Sequence, residues 1–144
     1  MRILLTGENG QIGSELHKVL TQFGDVTATG RTEMDLTDPS QIRWTVRKIK
    51  PELIINAAAY TAVDKAESDF ELAKAVNSIA PKILAEEAKH EGALLIHYST
   101  DYTYSGKMRQ QSYSESDSTT PNSIYGKTKL EGDKGIEQSG ASYL

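Results

Sequence analysis

The stretch that decides the fold is "RILLTGENGQIGSELHKVL", Arg2 to Leu20. It opens with an apolar run of strand length, turns at glycine, and passes into apolar residues at helical spacing. It therefore reads as strand, tight turn and helix. Gly7, Gly10 and Gly13 mark the turn in a Gly-x-x-Gly-x-x-Gly pattern, one residue different from the usual Gly-x-Gly-x-x-Gly. A glycine there lets backbone approach a diphosphate, and the helix N-terminus behind it offers unpaired N–H groups and a positive dipole end. The third glycine lets helix and strand pack closely. Three glycines can also simply shape a turn, but the strand before them and the helix after favour dinucleotide binding.

Outward from this unit the same alternation continues. Ile12, Leu16, Val19, Leu20 and Phe23 form the expected apolar face of the first helix, and Asp25 to Gly30 reads as a second strand. In "DPSQIRWTVRKIKP", Asp38 can cap a helix, Pro39 suits its first position, Gln41 can complete a capping box and Pro51 stops it. "LIINAAA", Leu53 to Ala59, reads as a third strand covered on both faces. A long helical region runs from Asp69 to His90 with Ala73, Val76, Ala80, Ile83 and Leu84 on one face and a kink or break at Pro81. Ala93 to Ser99 is the expected fourth strand, and a weaker helix runs from Pro121 to about Gln138. Between them the polar loop "DYTYSGKMRQQSYSESDSTTP" is too long for a simple connection, which marks it as functional or mobile. Strands alternating with helices predict right-handed crossovers and a Rossmann-like, doubly wound α/β fold with an open parallel sheet. Ligands in such sheets bind at the carboxyl ends of the strands, where the strand order reverses.

Composition narrows the classes. The chain has 144 residues and reads as one domain, residues 1–144, without repeat or linker. It contains no cysteine, which excludes disulfides and thiol catalysis and suits the cytoplasm. Its longest apolar run, "LIINAAA", falls far short of the roughly 20 residues that span a bilayer, and a formal charge of −4 without charge runs gives no reason to expect nucleic acid or an anionic membrane. No metal site is expected, because His90 and His97 lack ligand company.

Apart from Tyr125 and Lys129, the candidate site residues fall at or just beyond the carboxyl ends of expected strands. After the second strand, Arg31 can pair with a 2′-phosphate, which favours NADPH over NADH, or it is an ordinary solvated arginine; Glu33 is a rival acidic partner for the ribose. Asp35 can accept the adenine amino group with Leu36 against the ring, or the pair belongs to the helix cap. Ala57, Ala58 and Ala59 suit the floor of a nucleotide site, although buried alanines are also routine core. "HYSTDY" places Ser99, Thr100, Asp101 and Tyr102 at the same edge, where hydroxyls can bond a substrate carbonyl. Tyr125 and Lys129 in "YGKTK" lie four apart and would share a helix face, either as a catalytic pair or as a solvated surface.

"TGENGQIG", "NAAAYTAVDKAE", "HYSTDYTYSG" and "NSIYGKTKLEG", in this order and spacing, resemble the extended short-chain dehydrogenase/reductases, and among them the dTDP-4-dehydrorhamnose reductases. The resemblance covers essentially the whole chain. It implies NAD(P)H-dependent reduction of the 4-keto group of a dTDP-6-deoxy sugar to give dTDP-L-rhamnose for surface polysaccharide. It implies a catalytic triad of Thr100, Tyr125 and Lys129, with Tyr125 giving a proton to the sugar oxygen, Thr100 holding that oxygen, and Lys129 favouring phenolate and holding ribose hydroxyls. Cofactor contacts would come from Gly10, Gln11 and Ile12, from Asp35 and Leu36, from Ala59, Tyr60 and Thr61, and from Tyr98, Tyr125 and Lys129. Thr100 and Asp101 would touch substrate.

One departure from the family is plain. Members are about twice as long, and this chain stops at "ASYL", where the next strand should be starting, so the substrate domain is expected to be absent. An open sheet edge and an uncovered apolar face would then favour homo-oligomers. Two other readings stand beside the reductase: a non-catalytic NADP-binding module that regulates or scaffolds another protein, and a related sugar-nucleotide reductase or epimerase.

Overall fold

The computed structural model describes residues 1–107 and 111–144; residues 108–110, within the long polar loop, lie outside the described residues. Five strands, β1 (Arg2–Thr6), β2 (Asp25–Thr29), β3 (Leu53–Asn56), β4 (Leu94–His97) and β5 (Ser142–Tyr143), form one sheet in the order β2-β1-β3-β4-β5. All four pairings are parallel. The order reverses between β1 and β3, and the register there brings Thr6, Asn56 and His97, the last residues of three adjacent strands, side by side.

Helices cover both faces. α1 (Gln11–Leu20) packs Leu16 and Leu20 on Ile3, Leu5 and Ile55. On the other face α2 (Pro39–Ile49), α5 (Ala80–Glu91) and α6 (Ile124–Ser139) enclose Leu4, Ile54 and Leu95 with Ile42, Val46, Ile83, Leu84 and Ile136. Short helices α3 (Val63–Ala66) and α4 (Phe70–Lys74) lead into α5. Among the described residues no helix is long and apolar enough to cross a membrane.

Several expectations need correction. The third and fourth strands are shorter than their apolar runs. β3 stops at Asn56, so the three alanines fall in the loop beyond it, and Ala93 is spent closing α5, its N–H bonded to Ala88 O at 2.8 Å behind a left-handed Gly92. The first helix does not bury its whole apolar face: Ile12, Val19 and Phe23 are exposed, because contact with the sheet is made by Leu16 and Leu20. Asp38 does cap α2, accepting from Ser40 N and Gln41 N. Gln41 completes no capping box, however. The Asp38 N–H is already bonded to Asp35 O, and the Gln41 side chain accepts from Asp35 N instead.

Pro81 does not break the long helix. The chain runs from α4 through a π turn, Ala75–Ile79, directly into α5. A proline lacks the N–H that would bond the carbonyl four residues back, and widening the preceding turn accommodates its ring. The extra residue rotates the face, so Asn77 and Ser78 are buried while Val76 is only half-buried. Asn77 O is then covered by α6 at Gly132, where a Cβ would stand 2.1 Å from it. β5 begins the strand expected at "ASYL" and extends the sheet beside β4.

Candidate active site

The three glycines of the first turn have separate causes. Gly7 has φ 76° and lies so close to the next strand's loop that a Cβ would sit 2.8 Å from Ala58 Cα. Gly13 is buried against the turn itself, where a Cβ would be 2.0 Å from Gly7 O. Gly10 begins α1 without a side-chain cap, and Gln11 and Ile12 are exposed beside it. The N-terminus of a ten-residue helix that opens at a glycine without a side-chain cap suits a diphosphate.

At the tip of β2 the Glu33 carboxylate accepts from Thr32 Oγ1 at 2.6 Å and Gly30 N at 2.9 Å, and these bonds hold its pKa below the usual range. A Cβ on Gly30 would meet Asn9 Nδ2 at 2.5 Å, so the first and second loops close together here. Arg31 is exposed, and among the described residues it forms no ion pair. Asp35 Oδ1 takes both the N–H and the hydroxyl of Thr37 at 2.8 Å, while Leu36 packs against the core. Asp35 thus shapes the local turn, and Asp38 is the helix cap.

At the ends of β1, β3 and β4 a polar row crosses the sheet. The Thr6 hydroxyl lies 2.6 Å from Asn56 Oδ1, Asn56 Nδ2 lies 3.0 Å from His97 Nδ1, and His97 Nε2 lies 3.1 Å from Lys129 Nζ. Lys129 also donates to Tyr98 O at 2.5 Å. The loop after β3 is held from the side: the Asn77 carboxamide bonds both Tyr60 N, at 2.8 Å, and Tyr60 O, at 3.1 Å, and donates to Thr128 on α6. Tyr60 OH reaches Asp69, and Thr61 is exposed. Ala57, Ala58 and Ala59 are half-buried along this edge.

α6 is anchored where it starts. Ser123 caps it at Gly126 N, Glu67 accepts from Ile124 N at 2.8 Å, and Gly126 packs so close that a Cβ would be 2.3 Å from Tyr102 O. That contact seats the 3-10 turn Asp101–Thr103 on the helix, and it sets the Tyr102 ring edge-on to Tyr125 with centroids 5.4 Å apart. Thr100 caps the turn, its Oγ1 accepting from Tyr102 N at 3.2 Å. Asp101 is exposed and Tyr98 half-exposed beside it. Among the described residues no protein group hydrogen-bonds the Tyr125 hydroxyl.

The two members of the pentapeptide thus differ. Tyr125 is half-buried, whereas Lys129 is only 2 % exposed, which rules out a solvated pair. Burial pushes the Lys129 ammonium below its ordinary pKa, opposed by Asp133 one turn on. His97 is driven to about 3, first by burial and then by the Lys129 charge, so its ring is neutral. Burial raises the Asp133 carboxyl, while a bond from Ser99 Oγ at 2.5 Å and the Lys129 charge oppose the rise. Asn56, Asn77, His97 and Asp133 were not singled out as site residues from the sequence. Only Asp133 carries a legible signal, the i+4 spacing from Lys129 that Lys129 itself has from Tyr125.

Residues 1–144 match the family model described as the RmlD substrate binding domain. A dTDP-4-dehydrorhamnose reductase of Burkholderia thailandensis is 44% identical over 144 residues, covering 100% of this chain and 48% of the relative. The crystal structure of a dTDP-4-dehydrorhamnose reductase from Clostridium acetobutylicum superposes with a TM-score of 0.94 at 40% identity, covering 99% of this chain and 51% of that one. A dTDP-4-dehydrorhamnose reductase from Bacillus anthracis, solved in complex with NADP, gives 0.93 at 35% identity over 99% of this chain and 50% of that one. The chain spans about half the length of the relatives it matches.

Proposed function

Because the chain belongs to the RmlD substrate binding domain family, we propose that it forms the NAD(P)H-binding portion of a dTDP-4-dehydrorhamnose reductase. The activity proposed is reduction of the 4-keto group of dTDP-4-dehydro-L-rhamnose to dTDP-L-rhamnose. One observation carries the reading: the buried Lys129 amine is tied to the carboxyl ends of β4, β3 and β1, the same edge on which the first glycine turn lies. The glycine turn and the uncapped start of α1 would hold the diphosphate, with Arg31 beside a 2′-phosphate and the backbone of Ala57 to Thr61 along the remainder.

The cofactor when bound supplies the hydride. The chain's own residues supply the rest. Tyr125, whose hydroxyl has no protein partner among the described residues, donates the proton to the sugar oxygen, and Thr100 orients that oxygen by hydrogen bonding. Lys129 favours phenolate on Tyr125 after the transfer and holds ribose hydroxyls. Asp101, exposed beside Thr100, would touch substrate. The Thr100 hydroxyl accepts from Tyr102 N at 3.2 Å and donates to Asp101 Oδ1 at 3.4 Å, a long bond that it would give up to hold the sugar oxygen.

The test is NADPH oxidation with the 4-keto sugar nucleotide, together with titration of NADPH and NADH against the melting temperature. NADPH is expected to raise the melting temperature more than NADH. Tyr125→Phe is expected to lower kcat by about two to four orders of magnitude while leaving NADPH binding near that of the wild type. Unchanged turnover in Tyr125→Phe would remove the proposed acid, and binding without oxidation would leave a cofactor-binding module. The absence of cysteine suits the cytoplasm, and the exposed Val19 and Phe23 support self-association of the chain.

A further inference from the structure

We infer that His97 is the positioning residue for Lys129, its Nε2 holding the amine while Asn56 and Thr6 fix the ring from the other side. For its role this rests on the reading of Lys129 given above, but the geometry stands independently of that reading. A lysine amine sits on a flexible four-carbon stem and carries three N–H donors, so a buried one is located only by what accepts from it. Among the described residues Lys129 has two such acceptors, Tyr98 O at 2.5 Å and His97 Nε2 at 3.1 Å. The third N–H is left for a bound ligand.

His97 can do this only if its own proton is in the right place. Its side chain is 4% exposed, and the charged or titratable groups facing it are Lys129 and Asp133 of α6, the latter 3.6 Å from Nε2 and beyond a hydrogen bond. An ammonium donates and never accepts, so Nε2 must present its lone pair and the ring proton must sit on Nδ1. Nδ1–H then needs an acceptor, which Asn56 supplies by turning its carboxamide oxygen toward the ring. The amide fits the same volume either way round, and the Thr6 hydroxyl, able to donate or accept, serves both orientations. The row is therefore a register for one proton. The Lys129 ammonium sets the His97 tautomer, the tautomer sets the Asn56 amide, and the Thr6 hydroxyl follows the amide. Because Thr6 immediately precedes Gly7, the diphosphate turn and the amine are placed by one set of bonds.

The experiment uses the whole chain, ¹⁵N-labelled, with two variants of this residue. His97→Gln keeps an acceptor at the reach of Nε2, whereas His97→Asn keeps only the half of the ring that faces Asn56. Three histidines are present, His17, His90 and His97, so the variant spectra assign the ring signals. His97 is expected as the Nδ1–H tautomer near pH 7, and a slowly exchanging Lys129 NH₃⁺ signal should persist in His97→Gln and disappear in His97→Asn. The NADPH dissociation constant should rise about tenfold or more in His97→Asn and stay within about threefold in His97→Gln, the size of one lost bond to a charged group. An Nε2–H tautomer would overturn the inference, as would equal losses in both variants while circular dichroism shows both folded. If the wild-type chain binds neither NADPH nor NADH, the cofactor reading fails, and the tautomer and the Lys129 signal still decide whether His97 holds the amine.

Discussion

Glu87 on α5 is 2% exposed and yet ionised, because Arg47 and Arg43 of α2 bond both of its oxygens at 2.7–2.9 Å. Bonds from Arg47, followed by Arg43, hold its carboxyl below the usual pKa against the opposing effect of burial. A carboxyl depressed in the folded state stabilises above its unfolded pKa, and that stability is lost as pH falls through the folded value. Both arginines are partly exposed and can return to water, so Glu87→Gln should cost about 1–2 kcal/mol at pH 7. The gap between variant and wild type, read from melting curves, should close as pH drops below about 4.3. A gap independent of pH would show that packing and not charge is at stake. Single residues were also where sequence reading reached least. Lys129 was singled out by spacing, but its burial was not legible, and His97 at the end of an apolar strand reads as an ordinary core residue. Its importance depends on Asn56 and Lys129, which lie 41 and 32 positions away.

Between residues and the whole stand the helices, and here α6 carries the argument. Gly132 faces Asn77 O, exposed by the π turn, whereas Gly135 faces the stem of the Lys82 side chain. Alanine at the first position must displace backbone, and at the second it meets Lys82 Cβ at 3.0 Å, which must give by only a few tenths of an ångström. Gly132→Ala should therefore destabilise by about 1–3 kcal/mol and weaken NADPH binding, since Asn77 also clamps Tyr60. Gly135→Ala should cost less, because a helix-propensity gain of about 1 kcal/mol offsets the tight contact with Lys82 Cβ. Chemical denaturation of both variants settles it, and equal effects would show that the π turn is no constraint on α6. The elements themselves were legible because strand and helix periods differ. Pro81 marked the right neighbourhood, but a proline signals that something must yield without saying whether the helix breaks or widens. The capping box failed for a similar reason: Asp38 N is occupied by a carbonyl whose position depends on the turn at Asp35.

For the molecule as a whole, the two faces of the sheet are unequal. Among the described residues three helices cover one, while α1 alone packs on the other, with Val19 51% and Phe23 61% exposed and Leu53 and Ile96 only half-buried. Sedimentation at micromolar concentration should give dimers or larger species, and a clean monomer would count against self-association. The alternation of strand and helix made the parallel sheet and its crossovers legible, whereas the uneven cover was hidden, since Ile12, Val19 and Phe23 have the right spacing for a buried face. The register of Thr6, Asn56 and His97 also bears on how the chain acquires its fold. Gly7 rests on backbone at Ala57 and Ala58, so a nascent chain of some fifty residues has a turn with nothing beneath it. Its lysine joins only after α6 is made. A ligand held by both the glycine turn and Lys129 can therefore stabilise the nascent chain only once α6 has been made.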